Sequence, residues 1–314
     1  MKPINEYADI LSVLNAHYPV TFAHVELMRD AGSTTYAVYS GNKKYFLKVT
    51  KPAFYETIKS SVDINVFLQE NGFPVPCIVF TKDGLPYIEE TEEDGVRFYI
   101  LYDYLEGVEI DPEQDAEEIG ALLGQFHHLM CRYKGELSKR DKQFYIGRYL
   151  DILVKKGYPQ VVAFAVYGSD LWNKVKDLLL GYCHGDMYSG NIQRSSDGKM
   201  YILDFDTSCE GFPMYDLVLI CNQTHYFEFQ EDGYSKTKKV YERLLPEYLK
   251  YNDLSASEIN SFYDLIALYH FALQATIIEI NGLACVDNVF LDRQLDWLIK
   301  WRKQCKSNIK EHLR

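Results

Sequence analysis

The stretch Tyr182-Cys183-His184-Gly185-Asp186-Met187-Tyr188-Ser189-Gly190-Asn191-Ile192, followed by Met200-Tyr201-Ile202-Leu203-Asp204-Phe205-Asp206, decides how this chain is read. Apolar residues flank a polar turn that holds one carboxylate and, five positions on, a carboxamide. A mostly apolar strand then ends in acidic residues, a common way to place a metal ligand. Taken singly these are ordinary residues: an Asp in a turn usually caps it, and an Asn beside Gly usually turns the chain. Their order and spacing carry the information.

Transfer of a phosphoryl group calls for such a set. One group must orient the attacking hydroxyl and accept its proton, and oxygen ligands must hold Mg²⁺ on the nucleotide phosphates. Asp186 suits the first task. Asn191 and Asp204 suit the second, because Mg²⁺ takes few protein oxygens and completes its shell with phosphate and water. The order H-G-D-x-x-x-x-N…L-D-F, with thirteen residues from Asn191 to Asp204, resembles the aminoglycoside phosphotransferase and choline kinase superfamily, relatives of the protein kinases. The resemblance spans nearly the whole chain, the C-terminal third matching in texture only. It implies an α+β, two-lobed protein-kinase-like fold with a small β-rich N-lobe and a large, mainly helical C-lobe. It also implies ATP- and Mg²⁺-dependent transfer of the γ-phosphate to a hydroxyl of a small molecule. Protein kinases carry Asp-Phe-Gly and His-Arg-Asp. Here the corresponding triplets are Asp204-Phe205-Asp206 and His184-Gly185-Asp186, with no following Ala-Pro-Glu, so the acceptor is expected to be a small molecule.

Patterning upstream and downstream agrees with two lobes. Val25 to Met28, Tyr36 to Tyr39, Tyr45 to Val49, Cys77 to Phe80, Leu85 to Ile88 and Phe98 to Tyr102 read as strands, rich in β-branched and aromatic residues. Glu56 to Glu70 reads as a helix, with Ile58, Val62, Val66 and Phe67 near a 3.6 period. After Leu105-Glu106-Gly107 long helical patterns take over, at 113–133, 146–156, 170–180, 236–250, 256–280 and 287–312, interrupted by a β-like patch at 192–206. The expected division is residues 1–103 for a nucleotide-binding lobe and 104–314 for a catalytic and substrate-binding lobe.

The resemblance implies further elements. A lysine on the third strand should hold the ATP phosphates, and Tyr45-Phe46-Leu47-Lys48-Val49 supplies Lys48, with Phe46, Lys48 and Thr50 on one face. A flexible turn should cover the phosphates, which falls on Ala31-Gly32-Ser33-Thr34-Thr35, making Gly32, Ser33 and Thr34 candidates. The lysine's carboxylate partner should come from the next helix; Asp63 is the preferred candidate and Glu56 the alternative. Backbone groups near Asp103, Tyr104 and Leu105 should bind adenine. In Gly211-Phe212-Pro213-Met214-Tyr215-Asp216, Phe212 stands where the family usually has Asp, and Asp216 matches an aspartate that braces the catalytic loop. His184 reads as scaffolding, His127 as a packed helix residue, and Asp206 as either assisting the metal or facing water.

Composition narrows the classes further. The chain has 314 residues and a formal net charge of -12 with no basic stripe, which argues against a nucleic-acid partner. No apolar run approaches the ~18 residues of a membrane span, and the start, MKPINEYADI, lacks a signal-peptide core. Seven cysteines, odd in number and without a C-x-x-C pair, read as reduced thiols. These features predict a cytoplasmic protein with no membrane partner. The acceptor pocket should draw on Tyr226, Glu228, Tyr263, Asp264, Tyr269, His270, Glu279, Trp297 and Trp301. Acids among aromatics suit an amine or quaternary ammonium alcohol, aminoglycoside-like or choline-like. A homoserine-like or sugar acceptor, and a non-catalytic binding or spore-coat-like member of the fold, are the alternatives.

Overall fold

The computed structural model describes residues 4–30, 32–50, 55–92 and 95–312. Along them run α1 (Ile4–His17), β1 (His24–Asp30), β2 (Ser33–Ser40), β3 (Lys43–Thr50), α2 (Tyr55–Glu70), β4 (Ile88–Glu92), β5 (Gly95–Asp103), β6 (Gly107–Glu109) and α3 (Ala116–Met130). Then come β7 (Ser138–Lys139), a widened helical turn at Gln143–Gly147, α4 (Arg148–Lys156), α5 (Val161–Val175), β8 (Gly181–Cys183), a 3-10 turn at Ser189–Asn191, β9 (Ile192–Ser195), β10 (Met200–Ile202) and β11 (Cys209–Gly211). The helices α6 (Met214–Cys221), α7 (Gly233–Tyr248), α8 (Ala256–Asn281) and α9 (Asn288–His312) complete the chain. Two compact units result. One comprises Met1–Ile110, Tyr133–Glu136 and Gly190–Ser208; the other comprises Asp111–Arg132, Leu137–Ser189 and Cys209–Arg314. The segment that carries Asn191 and Asp204 therefore belongs with the β-rich unit, although it lies far beyond residue 103 in sequence.

The first unit is built on an antiparallel sheet in the order β1-β2-β3-β5-β4. Alternation along β3 sends Tyr45, Leu47 and Val49 into one core. There they meet Ile10 and Leu14 of α1 and Tyr18 just beyond its end, spaced four apart. The sequence reading had no helix here. Its stripe is short and mixed with Asn, Glu and Asp, and its helicity is secured by burial against the sheet. The Asn15 side chain fastens the end of α1 by accepting from the Phe22 amide at 2.7 Å and donating to the Phe22 carbonyl at 3.0 Å. The opposite sheet face packs Phe98 and Ile100 against Ile58 and Val62 of α2. Cys77 to Phe80 forms no strand; it makes an isolated bridge, Ile78 to Tyr102, at the end of β5. The strand expected at 85–88 instead begins at Ile88. A second small sheet, β10-β9-β6, carries the segment leading to Asp204.

The second unit packs α3 on α7, and α8 against α4, α5 and α6, beside the small sheet β7-β11-β8. A Ser255–Glu258 capping box starts α8: Ser255 Oγ accepts the Glu258 amide at 3.2 Å and Glu258 Oε2 accepts the Ser255 amide at 2.8 Å. By length and composition α8 could cross a membrane, but 67% of its most apolar window is buried inside this unit. The helix expected at 170–180 lies earlier, as α5, and α6 is short enough that its apolar run shows no helical period.

Candidate active site

In the first unit, β3 delivers Lys48 to the face that α2 covers. Its side chain is 13% exposed. Its Nζ lies 2.5 Å from Asp206 Oδ2 and 3.2 Å from Asp204 Oδ1. Burial alone would pull the ammonium's pKa down, but the charges of Asp206 and Asp204 outweigh it and hold the pKa above its usual value. Both carboxylates arrive from the turn after β10. The backbone at Asp204 has φ 59°, the left-handed region, which is unfavourable for a residue with a side chain by ~1–2 kcal/mol. Such strain persists where surrounding contacts enforce it. Here the Leu203 amide donates to the Asn191 carbonyl at 2.9 Å and the Ser208 amide to the Phe205 carbonyl at 3.1 Å, clamping the turn from both sides. Asn191 itself is buried at the end of the 3-10 turn that leads into β9. Its carboxamide and the Asp204 carboxylate are hard oxygen donors. Among the described residues no three His, Cys, Asp or Glu side chains cluster as a metal cage. Two oxygen ligands without a cage fit Mg²⁺, which takes its remaining shell from phosphate and water.

In the second unit, Asp186 is exposed at the tip of the loop after β8. That loop is braced from beneath. Fully buried Asp216, from the first turn of α6, accepts the His184 amide at 2.6 Å and the Gly185 amide at 2.9 Å. Gly185 has φ 82°, a conformation glycine adopts at no cost. Arg140 donates to the Gly185 carbonyl at 3.1 Å while its guanidinium lies 4.3 Å over the Phe144 ring. His184 is buried, and its Nδ1 accepts the Asp186 amide at 3.4 Å. From Tyr215 a ladder of rings runs to Tyr269 and on to Tyr226, with centroids 5.9 and 5.7 Å apart. Burial, before any neighbouring charge, pushes the pKa values of Tyr215 and Tyr269 up, and the charge of Asp186 adds to both shifts.

The family profile described as the phosphotransferase enzyme family matches residues 25–252, most of the chain. The chain belongs to that family. Several solved structures share the fold of this phosphotransferase. An amicoumacin kinase, hAmiN, in complex with AMP-PNP, Ca²⁺ and Ami, is 18% identical with a TM-score of 0.73, covering 96% of this chain and 93% of that one. A microcompartment-associated aminopropanol kinase is 15% identical with a TM-score of 0.69, covering 97% and 98%. The choline kinase LicA from Streptococcus pneumoniae is 15% identical with a TM-score of 0.61, covering 96% and 98%. Among curated proteins, the uncharacterized protein sll1119 of Synechocystis sp. is 21% identical over 59% of this chain, and the chain spans about half of that relative's length, 55%.

Within the phosphotransferase the expected residues fall out unevenly. Lys48, Asp204 and Asn191 share the first unit and Asp186 lies in the second. The expected Lys48–Asp63 pair is not formed: Asp63 is exposed, while Ile58, Ser61, Val62, Ile64, Asn65 and Leu68 are the buried side chains among those described in α2. The side chain of Glu56, the alternative, lies outside the described residues. Asp206, open between assisting the metal and facing water, faces Lys48 and accepts from Ser61 Oγ at 2.8 Å. The phosphate turn is shorter than expected. Ser33 and Thr34 already belong to β2, and Thr34 is buried with its hydroxyl donating to Asp30 Oδ1 at 3.0 Å, which leaves Gly32 exposed in the turn; Ala31 lies outside the described residues. At the end of β5 the Asp103 amide is committed to the Cys77 carbonyl at 2.9 Å and its carboxylate to Lys43 at 2.7 Å. The Tyr104 ring lies 3.7 Å from the Lys44 ammonium, and Leu105 follows without regular structure. Phe212, where the family usually has Asp, is buried and stacked on Tyr145 at 5.6 Å.

Sequence reasoning missed Ser61, Asn65 and Arg140. The first two were findable, since they share the helical face of Ile58 and Val62. Of the C-terminal acceptor candidates, Trp297, Trp301 and His270 are core. Tyr263 stacks on Tyr234, Asp264 pairs with Lys174 at 2.6 Å, and Glu279 pairs with Arg148 at 2.7 Å. Tyr226 and Tyr269 are half-buried and Glu228 is exposed.

Proposed function

We propose that this phosphotransferase is an ATP- and Mg²⁺-dependent small-molecule kinase that moves the γ-phosphate to a hydroxyl of a cationic amino alcohol. The observation that carries the reading is Asp186, an exposed carboxylate on a loop whose two preceding amides are pinned by buried Asp216. Asp186 accepts the acceptor's hydroxyl proton as that oxygen attacks the γ-phosphorus, and the bond to the ADP oxygen breaks. Lys48 holds the phosphates. Asn191 and Asp204 would hold Mg²⁺, which supplies charge neutralisation on the phosphate oxygens. The Gly32 turn lies over the phosphates, and backbone groups at Asp103 to Leu105 take adenine, the Asp103 amide excepted.

The acceptor class rests on Tyr226, Tyr269 and Glu228, two half-buried rings and an exposed carboxylate in the same unit as Asp186. Rings and an acid together attract an ammonium by cation–π and Coulomb terms. By their names, two relatives of the same fold act on aminopropanol and choline, both cationic alcohols. All seven cysteines are free thiols, which supports a reducing, cytoplasmic setting.

The test is ATP consumption in the presence of Mg²⁺ against amino alcohols, choline, aminoglycosides, homoserine and sugars. Turnover confined to the cationic alcohols is expected. Turnover with homoserine or sugars alone would overturn the acceptor class, and Mg·ATP binding without turnover on any member would favour a non-catalytic role.

A further inference from the structure

The lysine that holds nucleotide phosphates needs an acidic anchor, or it swings towards whichever carboxylate is nearest. Among its described side chains, helix α2 does not supply one. Of these, the buried ones are Ile58, Ser61, Val62, Ile64, Asn65 and Leu68, and the acids Asp63 and Glu70 are exposed. Lys48 nevertheless lies in a doubly bonded setting. We infer that Asp206 is the positioning residue for Lys48, tied to α2 through the Ser61 hydroxyl.

The geometry separates the two aspartates that reach Lys48. Asp206 uses both oxygens: Oδ2 lies 2.5 Å from Lys48 Nζ, and Oδ1 accepts from Ser61 Oγ at 2.8 Å. Its side chain is 27% exposed, against 52% for Asp204, and Asp204 makes the longer contact at 3.2 Å. The better enclosed, shorter and doubly held carboxylate is the anchor. The looser one can turn to a metal. This division lets Asp204 leave Lys48 when Mg·ATP arrives without stranding a buried ammonium, which is strongly disfavoured once its partner is gone. It also joins three elements, β3, α2 and the turn after β10, through a chain of two hydrogen bonds. A buried Asn65 lies one helical turn along α2 from Ser61, with its Oδ1 unmatched by any partner.

The inference rests on the kinase reading, and titration calorimetry with Mg·ATP on the full chain separates the two. The parent, Asp206→Asn, Asp206→Ala, Ser61→Ala and the double variant Ser61→Glu/Asp206→Ala are compared, with melting temperatures checking that each is folded. Loss of a hydrogen bond to a charged group predicts that Asp206→Asn weakens Mg·ATP about tenfold or more, and that Ser61→Ala weakens it about threefold. Moving the carboxylate onto the helix in Ser61→Glu/Asp206→Ala should recover most of what Asp206→Ala loses, a rescue that a purely structural role would not produce. Parent-like affinity in a folded Asp206→Asn, or a double variant no tighter than Asp206→Ala, overturns the inference while leaving the kinase reading standing. A parent that binds no Mg·ATP removes both.

Discussion

Asp216 and His127 meet in the core of the second unit, where His127 Nε2 lies 3.1 Å from Asp216 Oδ2 and neither side chain is appreciably exposed. The other ring nitrogen of His127 bonds Tyr248 Oη at 2.9 Å. Thus α3, α6 and α7 are joined through the carboxylate that holds the amides of His184 and Gly185. The position of Asp186 depends on helix packing two layers away.

Removing this carboxylate should be costly. Burial pushes the Asp216 carboxyl up, but the His127 hydrogen bond, the charges of His127 and His184 and the Gly185 amide outweigh it and hold the pKa below the ordinary range. Asp216→Ala leaves buried donors unmatched and should cost about 3–5 kcal/mol, read from urea unfolding at pH 7. Because the folded pKa is depressed, this contribution is complete above the unfolded value near ~4 and is lost as pH falls through the folded value. The gap between parent and Asp216→Asn should therefore narrow below about pH 4.

Asp186→Asn is the opposite case. The residue is exposed, so the variant's unfolding free energy should stay within about 0.5 kcal/mol of the parent's. Loss of a general base should lower turnover by about 10²–10⁴-fold with Mg·ATP affinity retained. Steady-state kinetics with an accepted alcohol decide it; parent-like turnover would remove Asp186 from the chemistry.

His270 should make the second unit acid-sensitive. It is enclosed and stacked on Trp297 with centroids 4.2 Å apart, and burial pushes its pKa down to about 3. The folded state keeps it neutral, while the unfolded chain protonates it near ~6.5. Stability from this group is complete above that value and falls by about 1.4 kcal/mol per pH unit as pH drops towards the folded pKa. His270→Phe, which keeps a ring against Trp297, should flatten the pH dependence of the urea midpoint between pH 6 and 4. An unchanged slope would assign the sensitivity to other groups.

Gly120 sits where α3 approaches α7. A Cβ there would lie 2.3 Å from the Leu244 carbonyl oxygen and 3.1 Å from Glu247 Cβ. Alanine gains about 1 kcal/mol of helix propensity, but forcing the helices apart costs about 1–3 kcal/mol. The contact is with backbone, which cannot rotate away, so the penalty wins. Gly120→Ala should lower the melting temperature, and a stabilised variant would mean that α7 shifts freely.

The sequence by itself determined what is local. The five-residue step from Asp186 to Asn191, the strand ending at Asp204 and the alternation that turns Lys48 away from Tyr45, Leu47 and Val49 are set by backbone periodicity and chain connectivity, and they sufficed for the family. Tertiary structure decided which acid meets Lys48. Ser61 and Asp206 are 145 positions apart, and Asp63 was disqualified only by the side of α2 that packs on the sheet. It likewise sorted the aromatic C-terminal helices, sending Trp297 and Trp301 to the core and leaving Tyr226 and Tyr269 half-buried. Burial and side-chain pairing between distant segments follow from how elements pack, and no short-range period in the chain encodes them.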